Sequence, residues 1–263
     1  GIEAVVAALG AHASNASVQK AGCWVLMNLA WHNARNQVEV AAKGGIEAVV
    51  EAMAAQVWSA GVQEAGCGAL RTLARNADNQ LAVAAKGGIE AVVRAMVAHG
   101  FSGSIQERGC GALQNLLGTA ENKVAVAQRG GIDAVVKALS SHKLAPGVQE
   151  AGCGVLWNLA GHLETSLLVA DKGGVEAVVC AMESHPASAG VQKAGCGTLY
   201  RLGCAPDLRG GVLASGAVPL VKKALQDFPS NAALQEQGQG LLDLVPWGAM
   251  DTFLQEVHKP LPS

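Results

Sequence analysis

Asn28, Asn115 and Asn158 stand at one phase of a repeat whose copies lie 43 or 44 residues apart. A carboxamide holds a hydrogen-bond donor and an acceptor in one planar group, so such a series suits recognition rather than bond making. The matching positions in the other copies are Thr72, Arg201 and Leu244. Thr72 and Arg201 can still hydrogen-bond, and Leu244 cannot. Trp24 precedes Asn28 by four residues, one helical turn, which puts an aromatic wall beside that amide. The same helix face adds Met27 and Trp31 in the first copy, Arg71 and Arg75 in the second, and Gln114 in the third. Trp157 and Tyr200 follow in the fourth and fifth. Aromatics and arginines grouped in this way are typical of the anchoring residues of protein interfaces.

Other reactive side chains recur without forming a catalytic set. His12, His99, His142 and His185 fall at one phase, at the end of the repeat's second helix. An imidazole there is favoured by the helix dipole, and the repeat keeps the four too far apart to share a metal. They are expected to cap. Five of the seven cysteines, Cys23, Cys67, Cys110, Cys153 and Cys196, are also in phase. Neighbouring helices pack about 8–10 Å apart, beyond the roughly 7 Å between Cα atoms that a disulfide tolerates. Core packing in a reducing compartment is therefore expected. No Ser/His/Asp or Cys/His set stands at a motif spacing, and the short Gly-rich stretches lie inside helices rather than between a strand and a helix. No enzyme, cofactor or metal site is expected.

These residues are positioned by the repeat itself. The stretch Val18 to Ala30 returns as Val62 to Ala74, Ile105 to Leu117, Val148 to Ala160 and Val191 to Gly203, and more weakly as Leu234 to Pro246. A Gly-Gly-Ile-Glu-Ala-Val-Val block keeps the same beat from Gly44, Gly87, Gly130 and Gly173. A period of about 40–47 residues marks an α-solenoid. Each copy predicts three helices: a short one such as 36–42, a second such as 46–55, and a longest third such as 62–74. The glycine pair fits a left-handed helix end and a sharp turn of the chain. Gly66 and Gly68, and their equivalents, sit inside the third helix, where each costs about 1 kcal/mol relative to alanine. Two per helix predicts that other backbones come close there. A further stripe, Trp58, Phe101 and Leu144, falls in the turn before the third helix. Its first expectation is a hydrophobic staple, and its alternative an apolar ridge open to a second partner.

The third helix ending in Leu-x-Asn-Leu-Ala (Leu26 to Ala30, Leu156 to Ala160), then Asn, then Gly-Gly-Ile and an apolar second helix, resembles the armadillo repeat family across essentially the whole chain. The sixth copy, Gly216-Ala217-Val218-Pro219-Leu220-Val221, keeps a proline similar to the one that opens the family's second helix. The resemblance implies a right-handed α-solenoid of five to six repeats over residues 1–245, the first truncated. It also implies that the third helices line a concave groove where the asparagine positions hold the backbone of an extended peptide. By that carry-over the groove residues are Asn28, Thr72, Asn115, Asn158 and Arg201, with Trp24, Trp31, Arg71, Arg75, Trp157 and Tyr200 supplying contact. The Trp24–Asn28 pair resembles the Trp-x-x-x-Asn array of importin-α-type receptors. It occurs once, because the next four copies place Gly68, Gly111, Gly154 and Gly197 at the tryptophan position. A nuclear-import receptor is thereby disfavoured, and the middle of the groove is expected to be shallow and open.

Half of the 263 residues are apolar, 15% are charged and the formal charge is −2. Without a Lys/Arg run there is no evident grip on a phosphate backbone, so nucleic acid is not expected as a partner. No apolar run reaches the length of a membrane span. The chain opens at Gly1 inside a repeat, which reads as a fragment or processed chain, with peripheral membrane association through a preceding part left open. Residues 246–258 are expected to form a helical cap on the last repeat, ahead of a frayed tail to Ser263. The expected function is a non-catalytic cytoplasmic scaffold that binds an extended segment of another protein. The alternative is a structural subunit docked permanently in a large assembly.

Overall fold

The structure is a computed structural model that describes residues 1–246. The expected cap therefore lies, apart from Pro246, outside the described residues. Within them the chain is a train of seventeen helices. The third-helix series is α2 (Ala16–Ala30), α5 (Ala60–Leu73), α8 (Gly103–Leu116), α11 (Pro146–Ala160), α14 (Ala189–Cys204) and α17 (Ala232–Asp243). The second helices are α1 (Ile2–Ala11), α4 (Gly45–Ala55), α7 (Gly88–Ala98), α10 (Gly131–Ser141), α13 (Gly174–Ser184) and α16 (Ala217–Asp227). The short first helices are α3 (Ala34–Ala42), α6 (Ala77–Ala85), α9 (Ala120–Gln128), α12 (Leu163–Asp171) and α15 (Pro206–Ala214).

Local chemistry sets each boundary. Asn33, Asn76 and Thr119 cap α3, α6 and α9 by accepting from the backbone N–H three residues on. The first glycine of each pair then takes a left-handed conformation, with φ of 77, 80, 77 and 78° at Gly44, Gly87, Gly130 and Gly173. That residue ends the first helix and opens the second in one step. The following glycine is required for a different reason. A Cβ at Gly88 would press on Val83, 2.8 Å from its carbonyl oxygen.

The core is one continuous seam running the length of the stack. Ile46, Val49 and Met53 of α4 meet Val62, Ala65, Leu70 and Leu73 of α5, all buried, and most of the pattern recurs in the inner copies, with Arg108 at the Ala65 position of the third. The five periodic cysteines are fully buried in that seam, with 0% exposure. Burial pushes their thiols up to about 12, so they pack as small apolar groups and are poor nucleophiles.

Side chains, rather than the expected close backbones, explain the helix glycines. At Gly109 a Cβ would lie 2.6 Å from Cγ of Met96, which α7 drives against α8. At Gly111 it would lie 2.5 Å from Nε of Arg71, which crosses from α5.

A buried glutamine ladder closes the joint between second and third helices. Gln106 Nε2 donates to the carbonyls of Met96 and His99 at 2.9 and 3.1 Å. Gln19, Gln63, Gln149, Gln192 and Gln235 repeat the arrangement. Each amide satisfies two carbonyls that the end of a second helix leaves without intrahelical partners.

This corrects the expected role of the histidines. His12, His99, His142 and His185 do occupy the C-cap positions of α1, α7, α10 and α13. The carbonyls there are nevertheless satisfied by glutamine. The rings of His99, His142 and His185 instead place Nε2 against the carbonyls of Val57, Gly100 and Lys143, in the turn of the preceding copy, at 2.8, 2.7 and 2.7 Å.

Candidate functional site

Successive third helices pack far more closely than successive first or second helices. The side of a curved stack on which its units crowd is the inner side, so α2, α5, α8, α11, α14 and α17 form the inner wall. The candidate groove residues lie on that row of helices, save Trp31 and Arg75, which lie just past the ends of α2 and α5. What each can offer to a partner differs widely.

Asn28 is exposed and Asn158 half-buried, and neither side chain has a hydrogen-bond partner among the described residues. Asn115 is engaged, because its Nδ2 donates to the carbonyl of Arg71 in the preceding third helix at 2.8 Å. Arg201 does the same one pair of copies later, donating from Nη1 to the carbonyl of Trp157 at 2.8 Å. Both bonds reach a carbonyl in the last turn of a helix, where the backbone acceptors lack intrahelical donors. Thr72 lies on the floor of a recess in this wall but has little to offer a partner. It is 1% exposed, and its hydroxyl donates back to the carbonyl of Gly68 at 2.9 Å. Leu244 is half-buried against the end of α14 near Gly203.

The aromatic residues are paired with cations from other copies. The Arg108 guanidinium lies 4.8 Å from the Trp24 ring centroid, reaching across α5, and its Nε is 3.2 Å from a Glu64 carboxylate oxygen. Arg75 stands 6.0 Å over Trp31, whose side is open to solvent at 49%. Arg201 stands 5.0 Å over Trp157. Burial lowers the Arg201 guanidinium from its ordinary value. The neighbouring Cys204, by charge and then by hydrogen bonding, pushes the Tyr200 phenol above its own.

The expected openness at the glycines is also corrected. Gly68, Gly111, Gly154 and Gly197 are buried. Met27, Arg71, Gln114 and Trp157 of the preceding copies lie over them, each where a Cβ would have been. Trp157 is laid so closely over Gly197 that its indole Nε1 is buried without a hydrogen-bond partner. A recess of about 230 Å3 remains in the amino-terminal half, with Met27, Trp31, Arg71, Glu107 and Arg108 on its walls.

Two elements of this surface were not among the sequence candidates. Arg108 stands where four other copies have Ala21, Ala65, Ala151 and Ala194 and the last has Gln237, and that break in the repeat was the available signal. The glutamine ladder had an equally plain one: a polar residue in every copy of an otherwise apolar stripe. At the edge, the staple expectation fails. Trp58, Phe101 and Leu144 are 82, 101 and 88% exposed and cover nothing.

A family model described as LRRK2 ARM repeat matches residues 1–159 and, in a second register, 88–246. Among solved structures, the chain is similar to an engineered protein at 21% identity, with 92% of this chain and 97% of that one covered and a TM-score of 0.81. It is similar to a designed armadillo repeat protein at 16% identity, covering 94% and 100%, with a TM-score of 0.81. A chain from a structure of the phosphorylation switch that controls the interaction between cadherin and β-catenin gives 17% identity, 92% and 52% coverage and a TM-score of 0.76. These structural likenesses establish the fold alone, and no catalytic family is indicated. A search of curated proteins finds no match. No described helix is long and apolar enough to cross a membrane. Between them the two registers of the family model take in the inner wall and all the described copies, and the chain belongs to the armadillo-type family that the LRRK2 ARM repeat describes.

Proposed function

We propose that the chain is a non-catalytic scaffold that captures an extended segment of another protein along its inner wall. The observation that carries this reading is the combination of unengaged amides at Asn28 and Asn158 with cation-topped tryptophans on the same row of helices. The amides can hold a strand's N–H and C=O groups whatever its sequence. Trp31 and Arg71 at the amino-terminal recess, Arg75 over Trp31, and Trp157 and Tyr200 further on, supply contact area between them. Asn115 and Arg201 act first on the protein itself, fixing the step between copies so that the free amides keep their spacing. The fully buried thiols suit a reducing compartment.

The test begins with peptides selected from a displayed random library on the full chain, with affinity then read by fluorescence anisotropy. Asn28→Ala combined with Asn158→Ala should weaken binding about tenfold or more, at roughly 1 kcal/mol per lost hydrogen bond. The thermal midpoint should stay unchanged. Unaltered affinity would remove the amides from the mechanism.

A further inference from the structure

The edge of the stack, where second helices turn into third helices, carries a surface unlike the inner wall. Trp58, Phe101 and Leu144 project from three successive turns almost as fully as in an extended chain. Val97 joins them at 70% exposure. Beside Phe101 a groove of about 660 Å3 opens between α7 and α10, with Val97, Ala134, Lys137 and Ser141 among its walls. The turns beneath are held firmly. His99, His142 and His185 bond the carbonyls of Val57, Gly100 and Lys143, the residues immediately before Trp58, Phe101 and Leu144. The backbone positions that carry the three large apolar side chains are thus held relative to one another before any partner arrives, which lowers the ordering cost of binding.

The charges around them have a consistent sign over most of the edge. Arg94, Lys137 and Lys143 are exposed, and none lies within 4.0 Å of a carboxylate among the described residues. Asp133, in the groove wall, is already held by Lys172 at 3.3 Å, and Arg129 by Glu90. At the phase of Arg94 and Lys137, the copy bearing Trp58 has Glu51 instead. The surface is therefore cationic beside Phe101 and Leu144 and carries an anion at the Trp58 end.

We propose that this edge docks an amphipathic α-helix of a partner protein, acidic on the flank facing Arg94, Lys137 and Lys143. The spacing selects a helix. Packed helices stand about 8–10 Å apart, and the copies are spread toward or beyond the upper end of that range at this edge; two helical turns rise about 10.5 Å in seven residues. Apolar residues at i, i+7 and i+14 would meet Trp58, Phe101 and Leu144 in turn. One face of a β-strand repeats every second residue, about 6.7 Å, and loses register after the first contact. A bilayer would need neither the fixed step nor the groove, whereas a helix side chain can enter the groove beside Phe101. Glu51 sets the direction, since a basic residue of the helix belongs at the Trp58 end.

The test uses the full chain and a lactam-stapled helix of about 18 residues, with leucines seven apart and glutamates on one flank. Saturable binding is expected, weakened at least tenfold by Phe101→Ser with Leu144→Ser and by Lys137→Glu. Replacing the peptide's glutamates by lysines should weaken it at least tenfold as well. These residues are exposed, so the variants should keep the wild-type thermal midpoint, and Asn28→Ala with Asn158→Ala should leave this binding unchanged. Absence of saturable binding, or binding that survives the double serine variant, overturns the proposal. A dimer in sedimentation that the double variant abolishes would assign the edge to a second copy of the chain. Flotation with vesicles of anionic lipid, lost in the same variant, would assign it to a membrane; either result overturns the helix partner.

Discussion

The inner wall and the outer edge carry the same 43-residue beat, yet their periodic side chains meet opposite fates. On the inner wall the copies crowd, and a group on one third helix reaches the next. Asn115 finds the carbonyl of Arg71, Arg201 that of Trp157, and Arg108 the ring of Trp24. At the edge the copies stand further apart. The longer reach of Gln56, His99, His142 and His185 joins the turns, while Trp58, Phe101 and Leu144 touch solvent. A repeated polar residue on the tight side of a solenoid is first a strut of the stack. A repeated apolar residue on the open side has no such use within the chain, which makes it the stronger pointer to a partner.

The comparison breaks most visibly at the joint between second and third helices. Gln106→Ala leaves the buried carbonyl of Met96 without its side-chain donor and removes one of two donors from that of His99, which keeps the Ser102 N–H at 2.9 Å. The expected loss is about 3 kcal/mol, roughly 2 for the orphaned group and about 1 for the second bond. Urea unfolding followed by helicity should show a large drop in midpoint, while Phe101→Ser shows none. Similar midpoints for the two variants would contradict the division between strut and free surface. Next in size is a contrast inside a single helix. Gly109→Ala forces a methyl group against Met96 in the core and should cost about 2 kcal/mol, within the range for overpacking. Gly111→Ala meets only the movable arm of Arg71. There the better helix propensity of alanine, about 1 kcal/mol, should cancel the displacement. Thermal melts of the two variants, two residues apart, should therefore differ clearly.

The architecture was legible because it depends on period alone. A glycine pair every 43 residues with apolar positions at helical spacing has few solutions other than stacked three-helix copies. Residue-level roles were less legible, since they depend on which neighbour stands within reach. Thr72 reads from sequence as a substitute for asparagine, but its hydroxyl is short enough to turn back on Gly68. The glycines at the tryptophan positions read as open floor, whereas the preceding copy lays a side chain over each. The histidines stood at the expected helix ends, and their rings point to a different copy, which no spacing rule encodes. Arg108, the one cation in a column otherwise of four alanines and Gln237, marked a contact spanning two copies and could have been noticed by aligning the repeats to one another.

A smaller effect separates two residues at the same position of different copies. Asn115→Ala removes a bond between α5 and α8 and should lower stability by about 1 kcal/mol. Asn28→Ala removes none among the described residues and should leave the melt unchanged, although both positions belong to the proposed groove. Equal losses would show that Asn28 is also a strut, and would withdraw it from the set of free amides.

The smallest expected effect tests a third surface, the row of second helices, where copies are linked by charge in contact with water. Lys43 holds the Glu3 carboxyl below its ordinary value by a hydrogen bond and by its charge, and Lys86 does the same for Glu47. A carboxylate whose value is lower folded than unfolded stabilises fully above the unfolded value. That contribution fades as pH falls through the unfolded value to the folded one. The Glu47–Lys86 pair spans 2.9 Å with both side chains at least a third exposed, so a few tenths of a kcal/mol is the appropriate scale. Lys86→Met should lower the thermal midpoint slightly at pH 7 in dilute buffer. The difference should vanish at pH 3 and shrink in molar salt, where charges are screened within about 3 Å. A deficit that persists at pH 3 would mean that the Lys86 stem, rather than its charge, joins the end of α6 to α4, and the outer row would then resemble the packed inner wall.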